Sequence, residues 1–284
     1  MKKVGVLGAG TMGHGIAQVA AQAGYGTTLY DVDPGVMEKG LEQIRKNLEK
    51  GVSLGKVAPE ARDRALEAVH GSSDLDETVA EADLVVEAVP ESMDLKREVF
   101  GKVEQAARDD AILATNTSSL SIDAIAASLG RPERFLGLHF FNPVHIMALV
   151  EVVRGKDTSP EVLERSEAFV REIGKEPVVV KDSPGFASSR LGVVLGLEAM
   201  RMVEEGVAEP EAIDKALELG YRHPMGPLKL SDLVGLDTRM GIAEYLHREL
   251  GQEHFRPPDI LRKMVEEGKL GRKSGEGFYR WEDQ

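Results

Sequence analysis

The apolar positions along the chain change period several times, and the changes mark the elements. Val4 to Leu7 is a short apolar run ended by glycines and predicts a buried strand. Ile16 to Ala23 carries a helical apolar pattern closed by Gly24, and Thr27 to Tyr30 is a second strand ending at Asp31. Strand, glycine turn, helix and strand in sequence make a βαβ unit, the crossover that joins parallel strands. Pro34 opens a helix to about Lys50, Gly51 to Lys56 reads as a turn, and Pro59 opens a further helix through Ala68. This helical pair exceeds what a crossover needs. Strands are then expected at Leu84 to Ala88, Ile112 to Thr115, Phe135 to His139, Leu149 to Val153 and Pro177 to Val180. Helices fall between them near Leu95 to Ala107, Ile122 to Ala127 and Pro160 to Ile173.

Beyond Asp182-Ser183-Pro184-Gly185 the alternation stops. Long helical patterns follow near Phe186 to Glu205, Pro210 to Leu219, Pro227 to Leu250 and Pro258 to Glu267, with a scrap of strand at Gly277 to Tyr279. The pattern predicts a doubly wound α/β domain over 1–184 and an all-α domain over 185–284.

A length of 284 residues suits two domains, and a hydrophobic share of 42% suits a globular protein. The absence of cysteine excludes disulfides, iron–sulfur clusters, thiolate zinc sites and cysteine nucleophiles, and no metal is expected. The net charge of −13 disfavours general nucleic-acid and anionic-membrane binding; an anionic small substrate needs a local basic cluster. The Met1-Lys2-Lys3 start followed by an apolar stretch resembles a signal peptide, but glycines interrupt it too early, and a cytoplasmic protein is expected. Asparagine occurs only at Asn47, Asn116 and Asn142.

Gly8, Gly10 and Gly13 form G-x-G-x-x-G between a strand and a helix, the context that gives the pattern meaning. Gly8 permits the tight turn, Gly10 the approach of a pyrophosphate and Gly13 close helix–strand packing. Asp31, 18 residues past Gly13, can accept ribose hydroxyls and would repel a 2′-phosphate. NAD is therefore expected over NADP. The bland reading is a glycine-rich turn and a solvated carboxylate.

In an open α/β sheet, ligands bind beyond the carboxyl ends of the strands. Val89-Pro90-Glu91, Asn116-Thr117-Ser118-Ser119 and His139-Phe140-Phe141-Asn142-Pro143 follow three successive strands. Alcohol–ketone interconversion needs a proton acceptor, and histidine, with an ordinary pKa of ~6.5, suits the task. His139 is the best placed of seven histidines, and Glu151, an acid in an apolar strand, could orient it. Alternatively, His139 is a hydrogen-bonded core residue and Glu151 an edge-strand charge.

These segments, with Gly235-Leu236-Asp237-Thr238 and Lys273-Ser274-Gly275-Glu276-Gly277-Phe278-Tyr279, resemble in order the L-3-hydroxyacyl-CoA dehydrogenase family, in its short bacterial 3-hydroxybutyryl-CoA type. The resemblance implies a Rossmann-type doubly wound sheet with a helical hairpin insertion and an all-α C-terminal domain. It implies NAD-dependent oxidation of (3S)-3-hydroxyacyl-CoA to 3-oxoacyl-CoA, or the reverse, in a homodimer. His139 is then the catalytic base, Glu151 its orienting partner, Ser118 the group on the substrate's 3-oxygen and Asn142 a support. Thr11, Met12, Glu91, Lys96 and Asn116 would join the glycines and Asp31 around the cofactor. Lys50, Ser53 and Lys56 are candidates for coenzyme A, with Arg45 and Lys46 nearby. Two positions depart from the family: Ser189 stands where an asparagine faces substrate, and His145 where proline is favoured, as a loop residue or a second titrating group. Two other readings remain. One is a related dehydrogenase for a sugar acid or a dicarboxylic 3-hydroxyacyl-CoA, with Arg190 or Arg222 on the extra carboxylate. The other is a non-catalytic dinucleotide-binding protein.

Overall fold

In the computed structural model, residues 1–281 are described; the last three residues of the expected second domain lie outside them. The chain divides into two compact units, Met1–Ser183 and a second from Pro184 onward.

The first unit is an eight-stranded sheet with its covering helices. In chain order it contains β1 (Lys3–Leu7), α1 (Thr11–Gln22), β2 (Gly26–Tyr30), α2 (Pro34–Ser53), α3 (Pro59–Ala68), β3 (Val69–Ser72), α4 (Leu75–Ala80), β4 (Leu84–Glu87), α5 (Met93–Ala106), β5 (Ile112–Thr115), α6 (Ile122–Ala126), β6 (Phe135–Phe140), β7 (Leu149–Arg154), α7 (Pro160–Glu172) and β8 (Glu176–Lys181). The strand order is β3-β2-β1-β4-β5-β6-β7-β8. Its first six strands are parallel in the 3-2-1-4-5-6 order of a Rossmann-type sheet. β4, β5 and β6 are buried along their whole length, which explains their continuous apolar runs.

Two elements of this unit escape the sequence pattern, one helix runs longer than expected, and one strand reverses direction. β3 and α4 carry too little pattern to be read: Val69-His70-Gly71-Ser72 lacks a β-branched run, and α4 has six residues. Asp74 caps α4 by accepting from Glu77 N at 3.0 Å. α2 continues through Ser53, so the turn before α3 begins at Leu54 rather than Gly51. Asp33 caps α2 at its other end, accepting from Gly35 N at 2.8 Å, with Pro34 in the first turn. β7 runs antiparallel to β6 because only residues 141–148 join them, too few for a crossover. The α7 connection is long enough, and β8 returns parallel to β7.

The second unit is helical: α8 (Ser188–Glu204), α9 (Pro210–Tyr221), α10 (Pro227–Val234), α11 (Leu236–Leu250) and α12 (Asp259–Glu266). The single helix expected over Pro227 to Leu250 is two, broken at Gly235, whose φ of 99° is inaccessible to a helix. Leu236 N then donates to Leu270 O, an irregular partner. The expected scrap of strand at Gly277 to Tyr279 is instead a pair of isolated bridges, Gly271 with Glu276 and Glu276 with Arg280.

Asp232, fully buried on α10, holds this last segment. It accepts from Phe278 N at 3.0 Å, Tyr279 N at 2.9 Å and the Trp281 indole at 2.9 Å. Asp214 on α9 supplements it, accepting from Leu228 N and Lys229 N and from the Tyr279 hydroxyl. Asp232→Ala orphans three donors at once, each costing ~1 kcal/mol or more when buried, and is expected to lower the unfolding free energy of this unit by about 3 kcal/mol. Urea titration followed by the fluorescence of Trp281, the only tryptophan, measures it. An unchanged midpoint would remove Asp232 from this role.

Candidate active site

β1, β2, β4, β5 and β6 all point the same way, so their carboxyl ends share one edge of the sheet. The register aligns Leu7 with Tyr30 and Glu87, Glu87 with Thr115, and Thr115 with Gly137. The segments that follow these residues therefore converge.

The glycine turn lies between β1 and α1. A Cβ on Gly13 would fall 1.6 Å from Gly8 O, so only glycine lets α1 start this close to the strand. A Cβ on Gly10 would meet nothing within 4 Å, leaving open space at the N-terminus of α1, where Thr11 and Met12 begin the helix. Unpaired N–H groups and the positive end of the helix dipole suit a pyrophosphate there. Asp31 reaches back from β2 and accepts from Ala9 N at 2.8 Å and from Asp33 N at 3.1 Å. Those bonds fix a carboxylate beside the turn, where an adenosine ribose would need it. The glycine cradle and its acid thus fit a dinucleotide on geometry.

A second cluster joins β4 to the turn after β5. Glu87 ends β4 with no exposure, and sequence reading passed over it. Lys96, from the first turn of α5, is 1% exposed and donates to Glu87 Oε1 at 2.7 Å. Val89 N and the Thr115 hydroxyl also donate to Glu87, each at 2.7 Å. Even so, burial outweighs these partners and pushes the Glu87 carboxyl above its usual range. The same ammonium lies 3.3 Å from Glu91 Oε2. Glu91 Oε1 accepts from the Thr117 hydroxyl, from Ser118 N at 3.1 Å and from the Ser119 hydroxyl at 3.2 Å. Burial works to raise the Glu91 carboxyl, but the Thr117, Lys96 and Ser118 partners together hold it below the ordinary range. Glu91 thereby ties down the turn that presents Ser118.

His139 and Glu151 face one another across the antiparallel β6–β7 pair. His139 Nδ1 lies 2.8 Å from Glu151 Oε2, with Glu151 1% exposed and His139 7% exposed. A carboxylate only accepts, so Nδ1 carries the hydrogen and Nε2 carries the lone pair of the neutral ring. Phe141 packs against the imidazole at a centroid distance of 4.5 Å. Asn116 binds β6 to this edge, accepting from Phe140 N at 2.9 Å. Asn142, exposed, is the second residue of the loop after β6.

The fold therefore gathers Gly8, Gly10, Thr11, Met12, Gly13, Asp31, Glu91, Lys96, Asn116, Ser118, His139, Glu151 and Asn142 along one edge. Lys96 is too deeply buried to be read as a surface cation; its partners are carboxylates. Lys50, Ser53 and Lys56 lie at the far end of α2 and just beyond it, exposed, with the Ser53 hydroxyl donating to Lys50 O. Arg45 and Lys46 pair with Glu42 on their own helix. Ser189 stands in the first turn of α8, in the second unit. There too, Arg190 lies over the Phe255 ring and Arg222 ends α9 at a left-handed φ of 58°. Sequence reading gave no part to Glu87 or to the Thr117 side chain, which build this edge; the signal for Glu87 was a charge closing an otherwise apolar strand.

The chain matches two successive family domains, described as the 3-hydroxyacyl-CoA dehydrogenase NAD binding domain over residues 3–183 and its C-terminal domain over residues 185–281. A protein of Deinococcus radiodurans described as a probable 3-hydroxybutyryl-CoA dehydrogenase is 47% identical, covering 98% of this chain and all of its own. The 3-hydroxybutyryl-CoA dehydrogenase of Bradyrhizobium diazoefficiens is 44% identical over 98% of this chain and 95% of its own. Among solved structures, the (S)-3-hydroxybutyryl-CoA dehydrogenase of Ralstonia eutropha is similar with a TM-score of 0.96 and 39% identity, covering 100% of both chains. The resemblance read from the motifs, the Rossmann-type fold and the NAD cofactor all agree with these matches, and the chain belongs to the 3-hydroxyacyl-CoA dehydrogenase family.

Proposed function

We infer that the chain catalyses NAD-dependent interconversion of (3S)-3-hydroxyacyl-CoA and 3-oxoacyl-CoA on short acyl chains such as 3-hydroxybutyryl-CoA. The observation that carries this reading is the His139–Glu151 pair, on the same strand-end edge as the glycine turn and Asp31. When bound on that turn, NAD supplies a hydride acceptor or donor. His139 Nε2 takes the 3-hydroxyl proton during oxidation, while Nδ1–H stays bonded to Glu151 and the carboxylate stabilises the imidazolium. Ser118 offers its hydroxyl to the 3-oxygen, Asn142 supports the site, and Ser189 stands for the family's substrate-facing asparagine. In reduction, the imidazolium returns the proton to the oxygen as the ketone gains hydride.

The proposed roles of Glu91 and Asn116 toward the cofactor rest on their positions after β4 and β5. Lys96 is better read as a positioning residue that neutralises Glu87 and Glu91. Lys50, Ser53 and Lys56 are proposed for coenzyme A. A homodimer is proposed through the second unit, whose α8 and α10 expose Leu191, Leu195, Leu230, Leu233 and Val234. No described helix is long and apolar enough to cross a membrane. A cytoplasmic enzyme without nucleic-acid or membrane partners is part of the same proposal.

A substrate panel followed by NADH absorbance tests the reading: acetoacetyl-CoA is expected to be reduced in preference to dicarboxylic 3-oxoacyl-CoAs and sugar acids. Preference for a sugar acid would overturn it. His139→Gln is expected to lower kcat by at least ~10²-fold, the loss expected for a general base, with NADH binding measured in parallel.

Asp31→Ala is expected to weaken NAD more than NADP, since the carboxylate that excludes a 2′-phosphate is gone. The ratio of kcat/KM values for the two cofactors reads this directly. Equal use of both by the unmutated enzyme would count against the assignment.

Lys96→Met leaves the buried Glu87 carboxylate uncompensated and is expected to cost ~3–5 kcal/mol of stability. Burial raises the Glu87 carboxyl in the folded chain, so the folded chain takes up this proton more readily than the unfolded one, and the associated stability is present at low pH and lost as pH rises. The Lys96→Met deficit is therefore expected to be larger at alkaline than at mildly acidic pH, and to shrink when Glu87→Gln is added. Urea unfolding across pH would show a constant deficit if the pair were incidental.

A further inference from the structure

Beside the glycine turn, on the flank of α1, is a cleft of about 320 Å³ lined by Thr11, His14, Gln43, Asn47, Asn142 and His145, among others. Three packing features build it. Gly15 has room only for hydrogen against Val144, since a Cβ would fall 2.8 Å from that side chain, so the loop after β6 lies directly on α1. Gly40 packs against Ala9, 2.9 Å from Ala9 O to where a Cβ would stand, and brings α2 alongside. Residues Gly40, Gln43, Asn47 and Lys50 are spaced at three and four and share one face of α2. The loop's far end is held by the Lys175 ammonium, which donates to Met147 O at 2.7 Å.

The arrangement sets two imidazoles at one opening. His14 is half-buried; its Nδ1 donates to Gly10 O at 2.8 Å, which makes Nε2 its titrating nitrogen. His145 is exposed, and the charged groups that bear on it are His14 from α1, Lys50 from α2 and Lys175 from the turn before β8. All four are cationic or can become so, and no acid is among them. In a chain with a net charge of −13, such a spot is a local exception. Burial comes first among the causes that lower both imidazoles from their usual range; at His145 the neighbouring cations add to it. The pair is therefore mostly neutral near pH 7 without a ligand, and an arriving anion would draw protons onto it.

We propose that His145 and His14 form a protonatable seat for a phosphate group of coenzyme A, with Lys50 as its permanent charge. The proposal rests on the acyl-CoA reading above and deepens it. A cofactor pyrophosphate already has its partners in the open N–H groups at the start of α1, one turn before His14. The cleft opens farther along that helix and against α2, so it suits a second phosphorylated ligand. Asn47 and Gln43 supply amides at the same wall, linked to each other at 2.9 Å.

Competitive inhibition by coenzyme A against acetoacetyl-CoA, compared with pantetheine, tests the seat without involving the chemical step. Coenzyme A is expected to bind about tenfold more tightly near pH ~6 than near pH ~8, as a charge-assisted hydrogen bond replaces a neutral one. Calorimetry in buffers of different ionisation enthalpy is expected to show proton uptake. His145→Gln and His14→Gln should each flatten the pH dependence, and pantetheine, lacking the phosphates, should show none. Full pH dependence in both variants, or the same dependence with pantetheine, would overturn the proposal. So would a pH-dependent shift confined to NADH affinity, which would assign the seat to the cofactor's phosphates. If coenzyme A bound at neither pH and acetoacetyl-CoA went unreduced, the substrate reading beneath the proposal would fall with it.

Discussion

Glu87 and Glu151 are carboxylates held out of water at the end of a sheet whose neighbouring strands are apolar. Burying either without a partner costs several kcal/mol, so each dictates what stands beside it. Glu87 is met by Lys96, Val89 N and the Thr115 hydroxyl. Glu151 is met by His139. Satisfying these two charges aligns β4 with α5 and β5 on one side of the edge and β6 with β7 on the other. The polar groups proposed for catalysis are then the consequence of that pairing.

The two carboxylates serve different ends. Glu151 engages one imidazole nitrogen and, in the proposed mechanism, leaves the other for proton transfer. Glu87 acts at one remove: it holds Lys96, which draws in Glu91, which in turn collects the Thr117, Ser118 and Ser119 donors. Ser118 is thus presented by a turn whose shape is enforced from below by an ion pair that never reaches solvent. A chain of this kind tolerates little repositioning, because each link is also the desolvation partner of the next.

The amino-acid sequence by itself determined the βα alternation, the place where it ends near Pro184, and the glycine turn with an acid at the end of the second strand. These rest on local physics: apolar periodicity, glycine where helix and strand must touch, and an acid at a strand end. His139 and Glu151 were legible as residue types suited to the reaction, but twelve residues of separation say nothing of direction. Only the short link over residues 141–148 forces β7 antiparallel, and only that pairing puts Glu151 opposite His139. Likewise, Lys96 reads in sequence as an ordinary helix cation; burial against Glu87 became visible only when β4 and α5 were packed. The break at Gly235 escaped the helical pattern because apolar spacing continues through it, while the backbone turns to meet Leu270. His14 and His145 are 131 positions apart in the chain. Their meeting depends on Gly15 admitting Val144, a contact between distant segments that no local pattern encodes.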